Sequence, residues 1–138
     1  MRSTGTPTNT ATRPPLTANA AFSLATGALI AAAPGTVGDW LGVEISGWLR
    51  LLGLALIGHA LILFWAIRRP DPTPWARINL LAIAPYPLLM IVLVATSVIG
   101  RPFGQVLALL DGAVVAAIAA WHWVSLRNPA PLHQPQHA

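Results

Sequence analysis

At 138 residues, with 55% hydrophobic and only 9% charged side chains, the chain carries more apolar surface than a soluble domain of this size can bury. It has no lysine, so its net charge of +4 comes from eight arginines set against Asp39, Glu44, Asp71 and Asp111. Those arginines lie at the ends of apolar stretches and form no basic face, which speaks against a nucleic-acid partner and for anionic lipid headgroups. Without cysteine the chain can form no disulfide or thiolate metal site.

The chain opens on a tail, 1–17, in which threonines alternate with small residues and Pro7, Pro14 and Pro15; this composition predicts disorder in water. The first apolar run begins at Ala18, ends in Ala31-Ala32-Ala33 and continues through Pro34 and Gly35 towards Trp40, giving a span at 18–38. Arginines ahead of a run that closes on three alanines are also features of a secretory signal peptide. Pro34 directly after the alanines and the long stretch before the run favour a retained span. The second span, 47–67, is closed by Arg68-Arg69-Pro70 and a stiff Asp71-Pro72-Thr73-Pro74 linker. The third, 75–99, leads through a Gly100-Arg101-Pro102-Phe103-Gly104 turn into the fourth, 105–126, and 128–138 is again polar, proline-rich and expected to be disordered.

Each span holds about 20 residues, enough for about 30 Å of hydrocarbon. Lipid offers no partner to an unpaired backbone group, so the spans are expected to be helices. The fold class is therefore all-α, a membrane-embedded antiparallel four-helix bundle. Arg2, Arg13, Arg68, Arg69, Arg77 and Arg127 fall at one end of the spans and Arg50 and Arg101 at the other. This imbalance puts both termini in the cytoplasm of a multi-pass inner-membrane protein. Trp40 and Trp48 then mark the outer boundary, and Trp65, Trp75, Trp121 and Trp123 the inner one.

Small residues recur every four positions in two spans, as Ser23, Gly27 and Ala31 in the first and as Ala108, Gly112, Ala116 and Ala120 in the fourth. Such stripes let helix backbones approach closely in lipid and are expected to face other helices, in this chain or in another copy. The segments Asn19-Ala20-Ala21-Phe22-Ser23-Leu24-Ala25-Thr26-Gly27 with Ala33-Pro34-Gly35, Leu49-Arg50-Leu51-Leu52-Gly53 with Arg68-Arg69-Pro70, and Trp123-Val124-Ser125-Leu126-Arg127 resemble a group of small bacterial four-span membrane proteins. The resemblance implies a four-helix architecture and no particular activity. The third span departs from that group's acidic residue followed by tryptophan and has Pro85-Tyr86-Pro87 instead.

Polar residues inside spans are costly and are the candidates for function: Arg50, His59, Asn79, Tyr86, Asp111 and His122. His59 and Tyr86 fall near mid-membrane, about 18 Å from the outer edge and about 16 Å from the inner edge by helical rise. Asp111, about 9 Å below the outer surface, lies within reach of Arg50 and is expected to pair with it, to hold a proton or to face a water-filled crevice. Pro85 and Pro87 remove two helical donors, which predicts a kink and frees carbonyls near Leu81 and Ile83 that His59 or the Tyr86 hydroxyl could satisfy. His59 and His122 are about 10 Å apart in depth, too far to share one haem iron, and no cofactor or metal is expected. No hydrolase, metalloprotease or nucleotide-binding motif is present, so the chain reads as a non-enzyme.

Three functions fit this pattern. The first is a structural or accessory membrane subunit that packs through the small-residue faces, as a homo-oligomer or within a larger complex. An oligomeric transporter or proton-coupled module using Asp111 and His59 is the second, and a binder of an apolar ligand such as a quinone or carotenoid is the third. The orientation is testable on its own: a reporter fused at Ala138 is expected to be active only in its cytoplasmic form, and one in the Asp39 to Glu44 loop only in its exported form.

Overall fold

The computed structural model describes residues 10–44 and 46–128. The tails at 1–9 and 129–138, with Arg2, His133 and His137, lie outside the described residues. A single 3-10 turn, Thr10–Thr12, leads into α1 (Arg13–Ala32) and α2 (Pro34–Leu41); then come α3 (Ser46–Ile67), α4 (Thr73–Ile83), α5 (Tyr86–Ala95) and α6 (Pro102–Arg127). Four stretches are long and apolar enough to cross a membrane: α1, α3, α4 with α5, and α6. This is an all-helical, four-span architecture.

Several boundaries differ from the sequence reading: α5 ends at Ala95 rather than 99, α6 begins at Pro102 inside the expected turn, and the first span differs at both ends. The first helix starts at Arg13, inside the stretch expected to be tail, because Pro14 and Pro15 fall in its first turn, where a proline's missing N–H costs nothing. Leu16 is fully buried there and packs with Ala20, Leu63 and Ala76 in the core of one end. A further difference is a break at Ala33, whose backbone (φ −132°, ψ 55°) leaves the helical region ahead of Pro34. The expected single span at 18–38 is thus a helix followed by the short α2, which buries Val37 and Gly38.

The helices form two antiparallel pairs. In the first, α1 runs against α3, with Leu16 near Leu63, Asn19 near His59 and Gly27 against Gly53. Backbones touch at this last point. A Cβ on Gly53 would lie 2.5 Å from the Ala31 nitrogen and 2.7 Å from the Gly27 carbonyl oxygen, so no larger residue fits. In the second pair α6 runs against α4 and α5, with Gly112 packed on Met90 and Pro87. The pairs join along α1 and α6, and α2 closes one end where Gly104 lets α6 approach the backbone of Trp40 and Leu41. Gly100 N–H donates to Leu41 O at 3.1 Å, and the Trp40 and Phe103 rings meet edge to face at 6.1 Å. By contrast α3 and the α4–α5 pair approach each other little along their backbones and meet through side chains, Leu63 with Ala76 and Trp65 with Trp75.

The third span is broken between Ile83 and Tyr86, where Pro85 and Pro87 withhold their N–H groups. Only 6% of its apolar window is buried, so most of α4 and α5 faces outwards. Before α4, Asp71 Oδ1 accepts the Thr73 N–H at 3.0 Å, and the Thr73 hydrogen bonds hold this exposed carboxyl below the usual carboxylate range. The carboxylate therefore supports the first turn of α4 at neutral pH, and that support fades as pH falls through its lowered value.

The small-residue stripes are divided. Gly27, which is buried, and Ala31, which is partly so, face α3 within the chain, and Ser23 is buried. On α6 the buried face runs Gly104, Ala108, Gly112, Val115, Ile118, His122 and Ser125, whereas Ala116 and Ala120 are exposed. A strict four-residue stripe drifts round the helix by about 40° per step, and steps of three and four keep one face in contact. The close contact predicts that Gly53→Leu lowers stability in detergent by about 2 kcal/mol or more, while Gly58→Leu, which points into open space, leaves the unfolding midpoint unchanged.

Candidate intramembrane site

Four polar side chains from four helices meet inside the bundle. Asn79 on α4 is 2% exposed and stands at the centre: its Oδ1 accepts from Asn19 Nδ2 on α1 at 2.9 Å, and its Nδ2 donates to His122 Nε2 on α6 at 3.1 Å. His122 is fully buried and its Nδ1 lies 3.0 Å from the Ile118 carbonyl. A carbonyl can only accept, so Nδ1 carries the ring proton and Nε2 is left to accept from Asn79. At the other end Asn19 Nδ2 lies 3.5 Å from His59 Nε2 on α3, the longest step of the chain. An amide carries two N–H donors, so Asn19 serves Asn79 and His59 together.

This chain ties α1, α3, α4 and α6 to one another at one level of the bundle. Removing a single amide would leave neighbouring buried groups unpaired, at a cost of about 1–3 kcal/mol. A second polar pair lies further along α6, where the Tyr86 hydroxyl at the start of α5 donates to Asp111 Oδ2. The break in the third span brings this about. It starts α5 at Tyr86, with the ring turned towards α6 and packed on the cluster of Ile83, Val115 and Ile118.

Between the two polar groups is a cavity of about 230 Å³ at the seam of the helix pairs. Phe22, Ser23 and Thr26 line it from α1, Leu56 from α3, Ala82 from α4 and Val115 from α6, and Asn19, His59, Tyr86 and Asp111 also reach it. Most of its wall is apolar. The cavity is partly open, and its wall includes Leu56 and His59 of α3 and Ala82, Ile83 and Tyr86 of α4 and α5.

Of the residues singled out in the sequence, His59, Tyr86 and Asp111 share this cavity, and Arg50 does not. Arg50 is exposed and Asp111 takes the Tyr86 hydroxyl instead, a correction to the expected ion pair. Helical rise places Arg50 and Asp111 at compatible depths, but they sit on helices of different pairs that do not pack together. His59 likewise bonds Asn19 on α1 and not the carbonyls freed by the prolines, because α3 packs on α1. Asn19 is the residue sequence reasoning missed. Its signal was there: Asn19, Ser23 and Thr26 fall on one helical face.

At the arginine-rich end Arg69 stacks on Trp65, 3.8 Å from the ring centroid, and Arg127 lies 4.1 Å from that of Trp123. Trp65 also meets Trp75 edge to face at 5.1 Å. These pairs hold the guanidinium groups at one end of the bundle, beside the tryptophans that favour a membrane interface. Fold and site together give a small, all-helical chain with a polar seam and four helices long and apolar enough to cross a membrane, compatible with a multi-pass membrane protein. Compared with known proteins, the chain matches no family, no curated protein and no solved structure.

Proposed function

We propose that this protein binds a small amphipathic molecule within the bilayer, in the cavity between its helix pairs. The observation that carries this reading is a largely apolar chamber into which a few polar groups converge, Asn19 and His59 from one helix pair and Tyr86 with Asp111 from the other. Polar groups so placed are expensive unless they serve a purpose. The partial opening of the cavity suits a ligand that arrives from the lipid and never crosses water.

A role as an accessory subunit finds less support in the small residues, because Gly27 is spent against Gly53, and Gly112 against Met90, within the chain. One observation still favours a partner: α5 buries no residue, and Leu88 and Ile91 stand exposed, as do Ala116 and Ala120 on α6. A second copy or a larger subunit would dock on that face.

Ala82 is exposed at the cavity, so Ala82→Trp fills the opening without entering a helix contact of the core. Native mass spectrometry from the same host membrane is expected to show wild-type protein carrying a small-molecule mass and the variant without it, with the two proteins equally stable once stripped of ligand. Wild-type protein bare in every preparation, or both proteins equally loaded, would rule the cavity out as the binding site.

A further inference from the structure

Asp111 is the only acidic residue in the four long apolar helices; Asp39, Glu44 and Asp71 all lie outside them. Its hydrogen-bond partner is the neutral hydroxyl of Tyr86, and no arginine is paired with it among the described residues. A carboxyl in the apolar layer with no cationic side chain must take its neutralising charge from a proton or from a bound cation. The cavity leaves room for the second. We infer that its ligand is a small monovalent organic cation, an alkyl- or aryl-ammonium, whose charge is met by Asp111 and whose apolar body lies against Phe22 and Tyr86. This inference rests on the ligand-binding reading and gives the ligand its charge.

The walls fit such a molecule. Phe22 from α1 and Tyr86 from α5 present ring faces or edges to the same chamber, and aromatic rings attract a desolvated ammonium group. A volume of about 230 Å³ takes a single substituted ring. A bare metal ion is served poorly, since no group of three His, Cys, Asp or Glu side chains is gathered anywhere among the described residues. The titratable groups facing Asp111 are Tyr86 from α5 and, across the cavity, His59 from α3. From α1 come only the uncharged Asn19, Ser23 and Thr26, and from α4 Ala82 and Ile83. The Nε2 of His59 lies 3.5 Å from the Asn19 amide nitrogen, so the ring's nearest polar neighbour is an uncharged side chain.

Cation and proton then compete for one carboxylate, and binding weakens as pH falls. Benzyltrimethylammonium tests this, because its charge is independent of pH and neopentylbenzene has the same shape without the charge. The readout is the thermal midpoint, followed by tryptophan fluorescence, of protein in nanodiscs of zwitterionic lipid. The cation is expected to raise the wild-type midpoint, with an apparent affinity at least about tenfold weaker for Asp111→Asn and for the neutral compound. Asparagine keeps an acceptor for the Tyr86 hydroxyl, and the fall in wild-type affinity with falling pH needs no variant at all. Equal shifts by both compounds in both proteins would overturn the cation while leaving the cavity as a binding site. No shift of wild-type protein by either compound, at any pH, would overturn the cation too; the mass measurement on Ala82→Trp then decides separately whether the cavity binds anything.

Discussion

The amide of Asn79 is the interaction on which the interior depends. In lipid no hydrophobic force draws one apolar helix to another, so association relies on close packing and on hydrogen bonds between helices. Asn79 reaches Asn19 on α1 and His122 on α6 at once, and Asn19 extends the chain to His59 on α3. One side chain thereby sets the relative position of both helix pairs. The orientation is fixed from the His122 end, where the Ile118 carbonyl determines which imidazole nitrogen donates and hence which way each amide points.

Packing supplies the rest, unevenly. The α1–α3 pair is drawn together by glycine at the level of Gly27 and Gly53, whereas the third span is interrupted by proline and buries little of itself. Such a bundle packs closely on one side and loosely on the other. The cavity follows from that asymmetry: the α1–α3 pair forms one wall and α4 to α6 the other. Asp111 and Tyr86 meet because the break after Ile83 starts a new helix with Tyr86 turned towards α6.

That the chain holds four long apolar helices is legible in the sequence, because bilayer thickness and the placement of Arg, Trp and Pro leave few alternatives. Less legible is where a helix begins when its first turn is polar: Pro14, Pro15 and Thr17 hide the helical start that Leu16 anchors. Depth along a helix can be counted from the sequence, but rotation about its axis and choice of neighbour cannot. That is why Arg50 and Asp111 could be placed at matching depths and still belong to different faces. The same limit hid the link between His59 and His122, which two asparagines on other helices complete. The outward rotation of Ala116 and Ala120 has the same origin, since the contact face of α6 advances in steps of three as well as four.

Nitrogen NMR of the protein in bilayers, labelled with ¹⁵N at histidine and asparagine, reads the hydrogen-bond chain through Asn79 that joins the helix pairs. His122 should be a neutral ring protonated at Nδ1, with Nε2 coupled across a hydrogen bond to an asparagine side-chain amide, and that coupling should vanish in Asn79→Leu. A His122 ring protonated at Nε2, or charged and exchanging freely with water, would contradict the account.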